Sequence, residues 1–269
     1  MDHLSGRTGR VHAARVPRQQ RASRCTLLIA LLAFALPAAA QTFEFDPSLT
    51  QEELDELTLV AAGALFASPV DAPSESGLFE LEIGLAATAV DVDEEASFWI
   101  KSVSDDILVG GRLLVPRLVV SKGIGLGSVA VTYGRVGDTD AAMLGGSIDL
   151  PLIRGGIARP VIALRGVYSQ LQGVDEADFR TYGALVMIGK GIGPITPYAG
   201  YGQMRADGEA RIPLSTEPTG PEDMLLLESE IEEDILMVGA KLELALLKFV
   251  VEGVQSEEWR YSARVGIGF

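Results

Sequence analysis

From Gly77 to the last residue the chain alternates side-chain character at a period of two, and this constrains its fold more than any other feature. Phe79, Leu81, Ile83, Leu85, Ala87 and Ala89 alternate with Glu80, Glu82, Gly84, Ala86 and Thr88. Successive side chains of an extended chain point to opposite faces, so each such segment is a strand with one apolar and one polar or small face. The pattern returns around Val129–Tyr133, Leu144–Leu152, Ile162–Tyr168, Tyr182–Ile188, Ile195–Tyr201, Leu236–Leu244, Phe249–Val251 and Tyr261–Phe269. Arg112 to Lys122 is the least distinct strand, because both its faces are apolar apart from Arg117. The reading predicts about ten strands.

Glycine-rich turns fall at Lys122–Gly125, Arg154–Gly156 and Lys190–Gly193, with another near Leu246. Between them come acidic loops at Asp91–Ile107, Gly137–Asp140, Gly173–Asp178, Asp207 to about Glu233, and Gln255–Glu258. Short turns at one end and longer loops at the other suit a closed antiparallel barrel whose apolar face meets lipid. The fold class expected is therefore all-β: a transmembrane β-barrel over residues 74–269 with a short N-terminal α-helix before it. An even strand count puts both termini at the short-turn end.

Residues 1–40 read as a removable leader. Six arginines from Arg7 to Arg24 precede the apolar run Leu27–Leu36, and Pro37–Ala40 supplies small residues for cleavage, so Gln41 is the expected mature N-terminus. Cys25 precedes the apolar run and is wrongly placed for a lipid anchor. Six of the 22 basic residues and one of the 37 acidic ones leave with the leader, so the rest has 16 against 36, a formal charge of −20. That argues against a nucleic-acid partner. The lone cysteine and both histidines, His3 and His12, leave too. Disulfides, Cys/His zinc sites, Ser-His-Asp triads and histidine acid–base chemistry are thereby excluded.

Residues 41–73 form a separate segment. Thr50 and Glu53 have capping-box spacing, Leu54, Leu57, Ala61, Ala64 and Leu65 trace one face at helical period, and Pro69 ends the run. One amphipathic helix, about 50 to 67, is expected. Its stripe must be buried on the barrel rim, in the lumen or on a partner.

Tyr133, Tyr168, Tyr182, Tyr201 and Tyr261 each share the apolar parity of their strand and lie next to a loop, as an interfacial aromatic girdle requires. Phe79, Phe249 and Phe269 have the same parity at the other end and would form a second girdle; Tyr198 breaks the pattern. The terminal nonapeptide sets Tyr261, Ala263, Val265, Ile267 and Phe269 at alternate positions and stops on an aromatic residue. It resembles the C-terminal β-signal of bacterial outer-membrane proteins. That resemblance implies an outer-membrane location, outer-membrane lipid as surroundings and the barrel-assembly machinery as a partner during biogenesis. With the strand parity it places both mature termini on the periplasmic side.

By parity Glu80, Glu82, Arg117, Asp149, Arg165, Lys241, Glu243, Glu252 and Arg264 face the lumen. They read either as a salt-bridged core or as the lining of a narrow conduit for small ions or solutes. The acidic loops read as solvated charge, since "DVDEE" lacks the glycine and ligand spacing of a calcium loop, and no metal site or cofactor is expected. The glycine runs lack phosphate-loop order. The stretch "EDMLLLESEIEEDILM" reads as a short helix or as an extension of the eighth strand. The expected function is non-enzymatic, a structural barrel or narrow pore; the alternative is a binding or assembly scaffold acting through the helix or the acidic loops.

Overall fold

The structure, a computed structural model, describes residues 45–66, 68–73, 77–102, 108–136, 141–156, 159–214, 224–257 and 259–269. The expected leader, Gln41, and the loop carboxylates Asp105, Asp106, Asp138 and Asp140 lie outside the described residues. Ten antiparallel strands form a closed barrel: β1 (Leu81–Asp91), β2 (Arg112–Gly123), β3 (Ser128–Arg135), β4 (Ala142–Ile153), β5 (Val161–Gln172), β6 (Ala177–Gly189), β7 (Ile195–Pro213), β8 (Met224–Leu244), β9 (Leu247–Gln255) and β10 (Trp259–Gly268). Each strand pairs with its sequence neighbours and β10 closes on β1, so no sheet edge runs the length of the wall. Phe269 completes the seam: its N–H donates to the Leu81 carbonyl and its carbonyl accepts from the Leu81 N–H, at 2.9 and 3.2 Å.

The register fixes the stagger. Directly opposed residues run from Leu242 through Phe249, Val265, Leu85, Leu118, Tyr133, Leu144, Gln170, Arg180 and Asp207 back to β8 at Glu230, a displacement of twelve residues in one circuit. With ten strands about 4.8 Å apart this corresponds to a strand tilt of roughly 40°.

The segment expected to be a loop between Asp207 and Glu233 is mostly strand. β7 runs 19 residues and β8 runs 21, so the hairpin rises well beyond β9, whose pairing with β8 stops at Leu236↔Gln255. The ambiguous "EDMLLLESEIEEDILM" stretch thus supplies an extension of β8, not a helix. Alternation was masked there because Met224–Leu227 is apolar on both faces while the residues that follow are mostly acidic.

Helix α1 (Gln51–Leu65) has the expected capping box: Thr50 Oγ1 accepts from the Glu53 N–H while the Glu53 carboxylate accepts from the Thr50 N–H at 2.8 Å. It lies at the loop end of the barrel. Lys101, just beyond the short helix α2 (Ser97–Ile100) of the β1–β2 connection, donates to Glu53 Oε1 at 2.7 Å, and its carbonyl accepts from the Asp46 N–H at 2.9 Å. After Phe66 the described residues 68–73 run down the lumen as a strap without secondary structure, and Pro73 packs on Gly189 at the turn end of β6. The first described residue, Phe45, and the last, Phe269, therefore sit at opposite ends of the barrel. Strand parity located the beginning of β1 correctly, at the turn end. The expectation that both mature termini share the turn end does not hold for the N-terminal side: parity counts strands only, and the described residues before β1 begin at the loop end and reach the turn end at Pro73.

The apolar inner residues form two clusters. One joins α1 and α2 to the loop end through Leu54, Leu57, Leu65, Trp99, Val115 and Met143. The other surrounds the strap through Phe66, Val70, Leu185, Met187, Met204, Ile235 and Met237. Strand β2 is apolar on both faces for this reason: Leu113, Val115 and Val119 are buried inside while Leu114 lies exposed on the outer face. The lumen is thus a mixed apolar and charged core, where sequence parity emphasised its charges.

Candidate functional site

The strap is held by the inner wall, chiefly through its own carbonyl oxygens. Arg117 Nη1 donates to the Phe66 carbonyl, Arg264 Nη1 to that of Pro69 and Arg165 Nη2 to that of Asp71, all at 2.9 Å. Ser169 Oγ donates to the Leu65 carbonyl. The Asp71 carboxylate is the strap's one charge; it pairs with Lys241 at 2.8 Å and Arg264 at 3.4 Å. Ser68 Oγ donates to Glu252 Oε1 at 2.9 Å, and Tyr198 donates to Glu252 Oε2 at 2.8 Å. Between these anchors Val70 has φ 48°, a left-handed conformation that costs a β-branched residue about 1–2 kcal/mol and persists because its neighbours are fixed.

Seven of the nine expected lumen charges are buried: Glu82, Arg117, Asp149, Arg165, Lys241, Glu252 and Arg264. Asp149 and Arg165 are direct cross-strand partners joined by two 2.7 Å bonds. Glu82 meets Lys248 at 2.6 Å, Arg264 at 2.7 Å and Lys241 at 3.8 Å. Glu80 and Glu243 are not in the interior. They sit at the turn-end rim, 3.2 and 3.6 Å from Lys248, with side chains 36% and 45% exposed.

Sequence reasoning missed Lys248, Arg260, Tyr198 and Asp71. Lys248 and Arg260 were open to the same parity argument, being odd neighbours of the outward Phe249 and Tyr261. Tyr198 announced itself as the one tyrosine off the apolar parity; it is buried because Gly239, its cross-strand partner, leaves room for its ring. Asp71 lies in a stretch with no periodicity, and nothing in the sequence marks it.

Arg117 and Arg260 differ from the other inner cations. Both are buried, at 3% and 5% exposure, and among the described residues neither lies within ion-pair distance of a carboxylate. The Arg260 guanidinium stacks over the Phe66 ring at 5.4 Å, with its Nε and Nη2 lacking partners; Arg117 Nε lacks one too. Beneath the strap, toward the turn end, a cavity of ≈20 Å³ is lined by Pro69, Asp71, Ser121, Ser128, Ser147 and Asp149, room for roughly one water.

The outer face carries the remaining expected residues. Tyr133, Tyr168, Tyr182, Tyr201 and Tyr261 are exposed, as are Val265 and Phe269, while Ile267 is half-buried. Corrected for the stagger, the five tyrosines fall within a band about 7 Å high; Phe79 and Phe269 lie about 20 Å below its middle and Phe249 about 13 Å below.

No protein-family model and no curated protein matches the chain. Among solved structures it is similar to the N-terminal β-barrel domain of OprF from Pseudomonas aeruginosa, at 14% identity and TM-score 0.32 over 72% of this chain and 100% of that one. It is also similar to Ail, the attachment invasion locus protein of Yersinia pestis, at 9% identity and TM-score 0.31 over 71% and 98%. The translocator domain of the autotransporter NalP from Neisseria meningitidis gives 14% identity and TM-score 0.33 over 80% and 93%. Similarity this loose carries no functional assignment.

Proposed function

We propose that the chain is a non-enzymatic outer-membrane β-barrel, structural at rest, whose bore is kept shut by its own N-terminal strap. The location rests on the outer face. The register row around the wall is apolar from Leu242 to Leu118, reaches Tyr133 and Leu144, and then becomes Gln170, Arg180, Asp207 and Glu230 as it climbs. A soluble barrel has no reason to change solvent partway up one row; a barrel leaving a lipid slab at its tyrosine belt does.

The observation that carries the functional reading is the occupied lumen: three arginine-to-carbonyl bonds and the Asp71 ion pairs fix the strap where a solute would pass. The loop end faces outward, taking α1 and the β7–β8 hairpin with it. Phe269 lies at the periplasmic interface, and Tyr261, Ala263, Val265, Ile267 and Phe269 present the assembly signal on the outer face of β10. Full-length protein should fractionate with outer membranes, migrate faster on gels before boiling than after, and remain electrically silent in planar bilayers. Recovery in the soluble fraction would reject the location, and steady openings of the unaltered protein would reject the shut bore.

The raised hairpin favours a second reading, partner binding at the outer end. Its outward face gathers Asp178, Asp207, Glu209, Glu228 and Glu230 around a groove of ≈380 Å³ that also holds Arg180. Shortening the hairpin to the height of β9 should then abolish capture of a cationic partner without altering bilayer silence.

A further inference from the structure

The inner wall carries more positive than negative charge wherever the strap runs. Its buried cations are Arg117, Arg165, Lys241, Lys248, Arg260 and Arg264; its buried carboxylates are Glu82, Asp149 and Glu252. Glu82 and Asp149 lie toward the turn end, where Glu82 sits among Lys241, Lys248 and Arg264, while Glu252 lies midway, beside Ser68 of the strap. Climbing toward the loop end, the wall offers Arg117 and then Arg260, both without an ion-pair partner among the described residues. Glu252, and for Arg260 also Glu233, act on them only from beyond ion-pair distance; a buried guanidinium without a direct partner is costly, since arginine cannot escape by losing its proton. Arg117 faces the Phe66 carbonyl and Arg260 the π-face of Phe66, while the carbonyls of Pro69 and Asp71 and the Asp71 carboxylate face Arg264, Arg165 and Lys241. The strap therefore acts as the wall's counter-charge.

We propose that the barrel wall is an anion-selective conduit, and that the strap closes it by occupying the anion's path. The inference rests on the outer-membrane reading and adds to it the ion that would pass. Withdrawal of the strap leaves a bore about the width of an extended chain, about 5 Å, lined by cations inside a low-dielectric wall that concentrates anions and repels cations. The path continues to the turn end past Ser121, Ser128 and Ser147 in the small cavity under Asp71, where the wall also presents Glu80, Glu82 and Asp149; Glu82 is neutralised by its direct cation partners Arg264 and Lys248, and Asp149 by Arg165. The strained Val70 shows that the strap is held in place by its contacts and not by its own conformational preference, so weakening those contacts releases it.

Asp71 is the contact to change, because it belongs to the strap and leaves every wall residue intact. Asp71→Arg sets a new cation against Lys241, Arg264 and Arg165. Full-length protein carrying it, reconstituted in a planar bilayer under a potassium chloride gradient, should open where the unaltered protein is silent, with a reversal potential shifted to the chloride side. Adding Arg117→Gln and Arg260→Gln should move that potential back toward zero. If Asp71→Arg does not reach the compact, heat-modifiable form, the isosteric Asp71→Asn serves the same purpose, and its openings must be anion-selective. A cation-selective current, or silence from a folded, membrane-inserted Asp71 variant whose strap has become protease-accessible, overturns the conduit. Failure of the unaltered protein to insert in membranes overturns the outer-membrane reading instead, so the two failures are distinguishable.

Discussion

Tyr198 donates its hydroxyl to Glu252 Oε2 at 2.8 Å, while Ser68 of the strap donates to the other carboxylate oxygen at 2.9 Å. Wall and strap thus share one buried carboxylate. Tyr198→Phe leaves Glu252 buried with one donor fewer, which should cost about 1–3 kcal/mol, read as a lower urea midpoint in micelles.

Gly239 sets a steric limit on the same arrangement. A Cβ there would strike the Tyr198 ring, so even Gly239→Ala must push the tyrosine off Glu252. The variant should lose at least as much stability as Tyr198→Phe, and the two losses should combine less than additively, because both break one contact. Fully additive midpoints in a double-mutant cycle would show that the ring has somewhere else to go.

The Asp149–Arg165 pair makes an opposite kind of prediction. Asp149→Ala strands a fully buried guanidinium and should cost about 3–5 kcal/mol, enough to deplete the folded, fast-migrating form. Replacing both members, Asp149→Leu with Arg165→Met, removes the charges together and should restore most of that form, although Asp71 then loses the arginine bond to its carbonyl. If the double replacement folds no better than Asp149→Ala, the pair's worth lies in holding the strap.

At the loop end, acid should act on Glu53. Its bonds to Lys101, with help from Ser97 and the Thr50 N–H, hold its carboxyl down from 4.5 to about 2. A carboxylate held low in the folded state contributes stability that is fully present above its unfolded value and is lost as pH falls through the folded one. The contact between α1 and Lys101 should therefore persist at pH 5 and loosen between about pH 4 and pH 2. Trp99, buried at 1% exposure beside Lys101, reports it: its emission should shift to the red over that interval. Glu53→Gln should bring the red-shifted state to neutral pH.

The wall was legible because a strand's side-chain period is two and its outer face is uniformly apolar over most of its height. The strand number, the outward tyrosines and most of the lumen charges follow from those two facts. The capping box of Thr50 and Glu53 was legible because it is local. The strap was not. Phe66 to Pro73 has no period, its bonds use backbone carbonyls that every residue possesses, and its one informative side chain, Asp71, resembles any loop aspartate. Where parity did fail, at Glu80 and Glu243, the cause was height: both have the inward parity but lie at the rim, and sequence alone does not say where the wall ends. The β7–β8 hairpin failed for a related reason, since acidic residues on both sides of a strand rising beyond its neighbours look like a loop.

Phe269 has two separable roles, closing the seam through its backbone and presenting an aromatic side chain at 68% exposure. Phe269→Ser keeps both backbone bonds to Leu81 and removes only the ring. In detergent, where folding needs no assembly machinery, the variant should refold with nearly unchanged yield, because an exposed side chain at the end of a strand buries little area. In cells, where the ring would be read as part of the assembly signal, the amount of heat-modifiable barrel in the outer membrane should fall while unfolded chain accumulates. Equal losses in both settings would mean that the ring anchors the finished barrel. No loss in either would leave the terminal aromatic without a part in assembly.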